Sequence, residues 1–245
     1  MATPRKPTIR LLPSGVPLRN RLLAALPADL YGKVSKDLSL RKVVLGEALL
    51  DHGVIASHVY FPNGGVYSVT NQMRDGQLVE VATVGIEGML GVSVFLGDSL
   101  GTGRTLQQVP NGLLPTMTVA RFLKYVAEPG PFREQIARYS QAHLLQVMQC
   151  TACNALHDLE QRCSRWLLQT HDRVDGNEFQ LKHEFLAIML GSTRPTVTVA
   201  LGGLQKAGII SSRYGRISIL DRKKLEAASC ECYDVIAGHF RRLGV

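Results

Sequence analysis

The chain has 245 residues, enough for one or two domains with a sizeable core and no disulfide staples. It is 45% hydrophobic and 20% charged, which excludes a disordered or collagen-like polymer, and no apolar run approaches a membrane span. Lys+Arg 28 against Asp+Glu 20 leaves a net charge of +8, concentrated between Gly191 and Lys224, where seven basic residues face the single acid Asp221. Such a local surplus suits a polyanionic partner.

Residues 1–19 hold four prolines and read as a flexible arm without a signal-peptide core, so a cytoplasmic location with reduced cysteines is expected. Asn20 to Lys36 reads as helix interrupted at Pro27. From Leu38 to Val119 short runs such as Val59-Tyr60-Phe61 and Val66-Tyr67-Ser68-Val69 alternate with turns such as Pro62-Asn63-Gly64-Gly65 and Asp75-Gly76. Many short strands with glycine-rich turns predict an antiparallel roll. Phe132 to Gln169 then runs without Gly or Pro and predicts a long helix, with a break near Asp158–Gln161. At 100° per residue Leu144, Val147, Met148, Thr151, Ala155 and Leu159 share one sector, a face that wants a second copy of the chain.

The region 181–190 predicts a short helix ended by Gly191. Thr193 then caps a second helix with Pro195 in its first turn and Val197, Ala200, Leu201, Leu204 and Ala207 as its buried stripe, stopped by Gly208. Two helices across a glycine turn make a helix-turn-helix, whose second helix reads the DNA major groove. Arg194 can pair with guanine, and Ser192, Thr193 and Thr196 can meet phosphate at the positive helix end, with Thr198 one turn on. Ile209–Ile219 predicts a β-wing with Arg213 and Arg216 at its Tyr-Gly tip. A final helix is expected from Asp221 to about Arg242.

Ser192-Thr193-Arg194-Pro195-Thr196-Val197 and Leu204-Gln205-Lys206-Ala207-Gly208-Ile209-Ile210 resemble the DNA-binding domain of the Crp–Fnr transcription regulators. Leu45-Gly46-Glu47 and Val59-Tyr60-Phe61 with Gly65 resemble the opening of their cyclic-nucleotide-binding β-roll. The resemblance implies an α+β chain: flexible arm 1–19, antiparallel β-roll (a double-stranded β-helix or jelly roll) over 20–130, dimerisation helix over 131–169 and winged helix-turn-helix over 170–245. It implies a homodimer on a near-palindromic promoter site in double-stranded DNA, with RNA polymerase as a further partner. Arg194 falls on the family's base-contacting arginine. Pro195 and Val199 depart from its pattern, so the preferred DNA sequence does not carry over.

In the cyclic-nucleotide binders a Gly-Glu pair takes the ribose and an Arg-Thr or Arg-Ser pair the phosphate. The counterparts here are Glu87 and Gly88, then Arg104 and Thr105, with Val147 and Met148 where the long helix would face the base. The spacing is longer than usual and the helix positions are apolar, so control by cyclic AMP is not expected and no cofactor is assigned. A rival sensor is the set His143, Cys150, Cys153 and His157, which lie within about 80° on the helix and could hold a metal or meet an oxidant. Cys230-Glu231-Cys232 would be a poor chelate on a helix. No Walker loop, nucleophile elbow or His-Glu-x-x-His occurs, so no enzyme is expected. A ligand-binding protein with a vestigial helix-turn-helix is the remaining alternative, against which the basic segment argues.

Overall fold

Two hydrophobic cores organise the chain in the computed structural model, which describes residues 10–101, 103–110 and 113–244. Residues 1–9 of the expected arm lie outside the described residues. Residues 10–19 correct that expectation, because they are anchored: Leu12 and Leu18 are buried, and Leu11 pairs with Pro17. Asn20 caps α1 (Arg21–Ala24) by accepting from the Leu23 amide. Its own amide donates to the Pro62 and Gly88 carbonyls, tying the helix to the roll. Pro27 ends that helix as expected, and α2 (Ala28–Val34) follows.

The expected antiparallel roll is present. Its strands are β1 (Ser39–Arg41), β2 (Ala48–Leu50), β3 (His58–Tyr60), β4 (Val66–Gln72) and β5 (Leu78–Val84), then β6 (Arg104–Val109) and β7 (Leu114–Thr118) after the short α3 (Val92–Phe95). They form a three-stranded sheet ordered β1-β7-β3 and a four-stranded sheet ordered β2-β6-β4-β5, all antiparallel. Val59, Phe61, Tyr67, Val84, Leu114 and Met117 from both sheets share the first core. α4 (Val119–Val126) and α5 (Pro131–Leu156) close it with Phe122, Phe132, Ile136 and Tyr139.

The long helix breaks where its sequence allows. His157 is extended, and Asp158 opens α6 (Leu159–His171) with a reciprocal capping box to Gln161. Cys163, Trp166, Leu167 and Leu168 of α6 enter the second core with Leu186, Leu201, Leu204, Ile210, Ile217 and Leu225. The C-terminal unit therefore begins near Asp158 and not at residue 170, because the buried face of α6 turns toward that core.

The unit continues through β8 (Glu178–Gln180), α7 (His183–Met189), α8 (Arg194–Lys206), β9 (Ile210–Arg213), β10 (Arg216–Ile219) and α9 (Arg222–Ala228). The single final helix expected from 221 is divided. α10 (Cys232–Leu243) starts after a non-helical Ser229–Glu231 link and folds back on α5, placing Ile236 and Phe240 in the first core. Two further contacts hold the units together: Trp166 donates to Glu80 of β5, and Arg173 donates to Thr83 and Glu87. Within the first unit, Gln146 of α5 donates to the Thr83 carbonyl.

Candidate nucleic-acid interface

α7 and α8 meet at 106°, within the range of a helix-turn-helix. Gly191 supplies the turn with φ of +57°, where a β-carbon would be strained. Thr193 caps α8 by accepting from the Thr196 amide. Val197, Ala200, Leu201 and Leu204 are buried, as the periodicity requires. Ala207 is exposed, because the helix has ended there. A β-carbon at Gly203 would stand 2.6 Å from Oε2 of Glu160 on α6, the mobile end of an exposed side chain that can move aside. Gly202 meets nothing, and nothing in the packing explains it.

The outer face of α8 presents Thr193, Arg194, Thr196, Thr198 and Val199, while Ser192 is half-buried. Arg194 is 66% exposed and is held 2.9 Å from the Glu184 carboxylate. Thr198 is less free than its position suggests, since its hydroxyl donates to the Arg194 carbonyl and lies 3.0 Å from His183 Nδ1. The other nitrogen of His183 lies 3.0 Å from the Ser212 hydroxyl on β9. Partial burial holds this imidazole below its usual pKa, so near neutral pH one ring nitrogen donates and the other accepts. Sequence reasoning missed His183, since nothing local marks a histidine that joins two elements.

The wing is one strand larger than expected, with sheet order β8-β10-β9. Its turn places Tyr214 at φ of +51° and Gly215 at +72°, the mirror-image geometry that two-residue hairpins favour. Tyr214 projects fully into solvent at the tip. Arg213 is exposed and, among the described residues, has no ion-pair partner, whereas Arg216 is paired 2.7 Å from Glu178. Part of the expected basic surplus faces elsewhere: Arg222 is tied to Asp172 and Glu226.

The presumed nucleotide cassette is dispersed. A cavity of about 280 Å³ in the roll is lined by Thr105, Val147 and His143 among mainly apolar neighbours, with no Lys or Arg among the described lining residues. Glu87 lies outside it, 2.7 Å from Arg173. Burial opposes ionisation of Glu87, but the guanidinium outweighs it and holds the carboxyl below its usual pKa. Gly88 lies under the Tyr139 ring, Arg104 pairs with Asp51 at 2.9 Å, and Met148 is exposed. Of the cassette residues, Glu87 and Arg104 are ion-paired within the chain to Arg173 and Asp51, whereas Thr105 and Val147 line the roll cavity.

The helical metal set is also redistributed. His143 stacks on Tyr139 and lines the roll cavity, and the Cys150 sulfur accepts from Arg165. Cys153 and His157 instead lie close to Cys230 and Cys232, and the stretch from Cys230 to Glu231 lies outside the helix expected for that pair.

Residues 161–228 match the family described as the Crp-like helix-turn-helix domain. A Crp/Fnr-family transcriptional regulator from Eubacterium rectale is similar in structure, with a TM-score of 0.65 at 19% identity over 86% of this chain and 98% of that one. A CRP-family regulator from Thermus thermophilus gives 0.64 at 20% identity over 77% and 96%. The c-di-GMP-responsive global regulator CLP of Xanthomonas campestris gives 0.63 at 16% over 79% and 99%. At these identities the likeness is one of fold. No curated protein matches the sequence significantly.

Proposed function

From the premise that the chain carries a Crp-like helix-turn-helix domain on the fold of the Crp/Fnr regulators, we propose that it is a sequence-specific, DNA-binding transcription regulator. The observation that carries this reading is the His183 bridge. By bonding Thr198 of α8 and Ser212 of β9, it sets the root of the wing beside the outer face of the helix. α8 enters the major groove, and Arg194 leaves Glu184 to pair with guanine O6 and N7. Ser192, Thr193 and Thr196 take phosphate at the helix N-terminus, while Arg213, Tyr214 and Arg216 follow the backbone beside the wing.

The active unit is a homodimer on a near-palindromic site. Leu144 and Met148 are 59% and 60% exposed on one face of α5, with Val147, Thr151 and Ala155 beside them, and a second copy covers that face. Cyclic AMP is not the effector, because a phosphate in the roll cavity would lack a basic partner. The regulator acts in the cytoplasm, with RNA polymerase as its downstream partner.

Selection of binding sites from random DNA tests the reading. Arg194→Ala should cost about 1–3 kcal/mol at the selected site and relax preference at one base pair. Arg213→Ala should weaken all sequences alike and reduce the salt slope by about one. Unchanged affinity and base preference in Arg194→Ala would refute the assignment of α8.

A further inference from the structure

We propose that Cys153, His157, Cys230 and Cys232 form a tetrahedral site for one thiolate-preferring divalent ion of the zinc class, which clamps the C-terminal helix α10 across the break between α5 and α6. The proposal does not depend on the DNA reading. The four ligand atoms lie within 4.8 Å of one another. Cys153 Sγ and Cys230 Sγ are 3.5 Å apart, and Cys232 Sγ and His157 Nδ1 are 3.6 Å apart. Bonds of about 2.3 Å to sulfur and about 2.0 Å to nitrogen, set tetrahedrally, need edges of about 3.8 Å between thiolates and about 3.5 Å from thiolate to imidazole. A four-iron cluster puts iron and sulfide between its thiolates and needs them farther apart than these single-ion edges.

The surroundings match a closed site. Cys153, Cys230 and Cys232 are buried and form a small cluster of their own. His157 turns Nδ1 toward Cys232 while its Nε2 lies 3.1 Å from the Glu231 carboxylate, the carboxylate–histidine arrangement that orients a metal ligand. Gln149 donates to the Cys232 sulfur at 3.0 Å. Charge is the independent observation. Arg165 is 3% exposed, and among the described residues no carboxylate lies within ion-pair distance of it. Its hydrogen bonds go to the Cys150 sulfur and the Gln169 side chain. A divalent ion with three thiolates and a neutral imidazole carries one negative charge, which balances this buried guanidinium. Binding releases the three thiol protons to solvent.

The ligands come from two places. Cys153 and His157 end α5, whereas Cys230 lies in the α9–α10 link and Cys232 is the first residue of α10. An ion shared between them fixes the helix-turn-helix unit and α10 against the stem of the roll.

The test uses the reduced full-length chain with zinc or cobalt(II) alone. The expected result is one ion per chain, with a tetrahedral cobalt spectrum whose charge-transfer intensity corresponds to three thiolates. Cys230→Ser and Cys232→Ser should each weaken zinc binding more than about 100-fold, exceeding the typical cost of losing a partner behind a ligand. Cys150→Ala and Cys163→Ala should leave it unchanged. On the unaltered chain, zinc should protect Cys153, Cys230 and Cys232 from alkylation and slow hydrogen exchange in α10. Absence of micromolar zinc binding, a six-coordinate cobalt spectrum, equal affinity in Cys230→Ser, an iron–sulfur chromophore after anaerobic preparation, or a Cys153–Cys230 disulfide under reducing conditions would overturn the site. Unchanged exchange in α10 on zinc binding would overturn the clamp.

Discussion

Glu80 is the most informative stability probe in this chain. It is buried on β5, where it accepts hydrogen bonds from the Ser68 hydroxyl and from Trp166 Nε1 at 3.1 Å, so it joins the roll to α6. Burial raises its pKa from 4.5 to about 7, a rise only partly offset by those two donors and by Arg165 and Arg173. At about 1.4 kcal/mol per tenfold, that corresponds to roughly 3 kcal/mol. The sign follows from linkage. Below pH 4.5 the carboxyl is neutral folded and unfolded, and there is no cost. Between pH 4.5 and about 7 the unfolded chain ionises first, so stability falls as pH rises, and above that window the full cost stays. Glu80→Gln copies the protonated acid: its carbonyl accepts from Trp166, and its amide donates to Ser68 once that hydroxyl turns. The variant should match the wild type within about 1 kcal/mol at pH 5 and exceed it by about 2–3 kcal/mol at pH 8. Urea unfolding read from the fluorescence of Trp166, the single tryptophan, measures both proteins. A stability difference that is the same at the two pH values would refute the reasoning.

Other outcomes follow from the packing. Gly88→Ala would drive a β-carbon to 2.5 Å from the buried Tyr139 ring, so urea unfolding should show a loss of about 1–3 kcal/mol. Leu144→Asp with Met148→Asp should leave the fold intact, because both side chains are exposed, while sedimentation shows the dimer falling to monomers; a variant that stays dimeric would place the seam elsewhere. Calorimetry with cyclic AMP should show no binding tighter than about 0.1 mM, and micromolar affinity lost in Arg104→Ala would reverse that conclusion.

Sequence alone was enough for features whose determinants lie within a few residues of one another. The turn at Gly191, the Thr193 cap and the Val197–Leu204 stripe specify the helix-turn-helix locally, and the Asp158 to Gln161 pairing marks the break in the long helix. The alternating runs and glycine turns likewise specify the roll. Tertiary structure decided whatever depends on chain return. Glu87 looks like a ribose ligand beside its neighbours, yet its partner is Arg173, 86 residues away. Cys150 and Cys153 look like one helical set, but Cys153 meets Cys230, 77 residues on, because α10 folds back along α5. Helical periodicity reports which side chains share a face; which element covers that face depends on how the two cores bury their apolar area, and that is settled only when the whole chain packs.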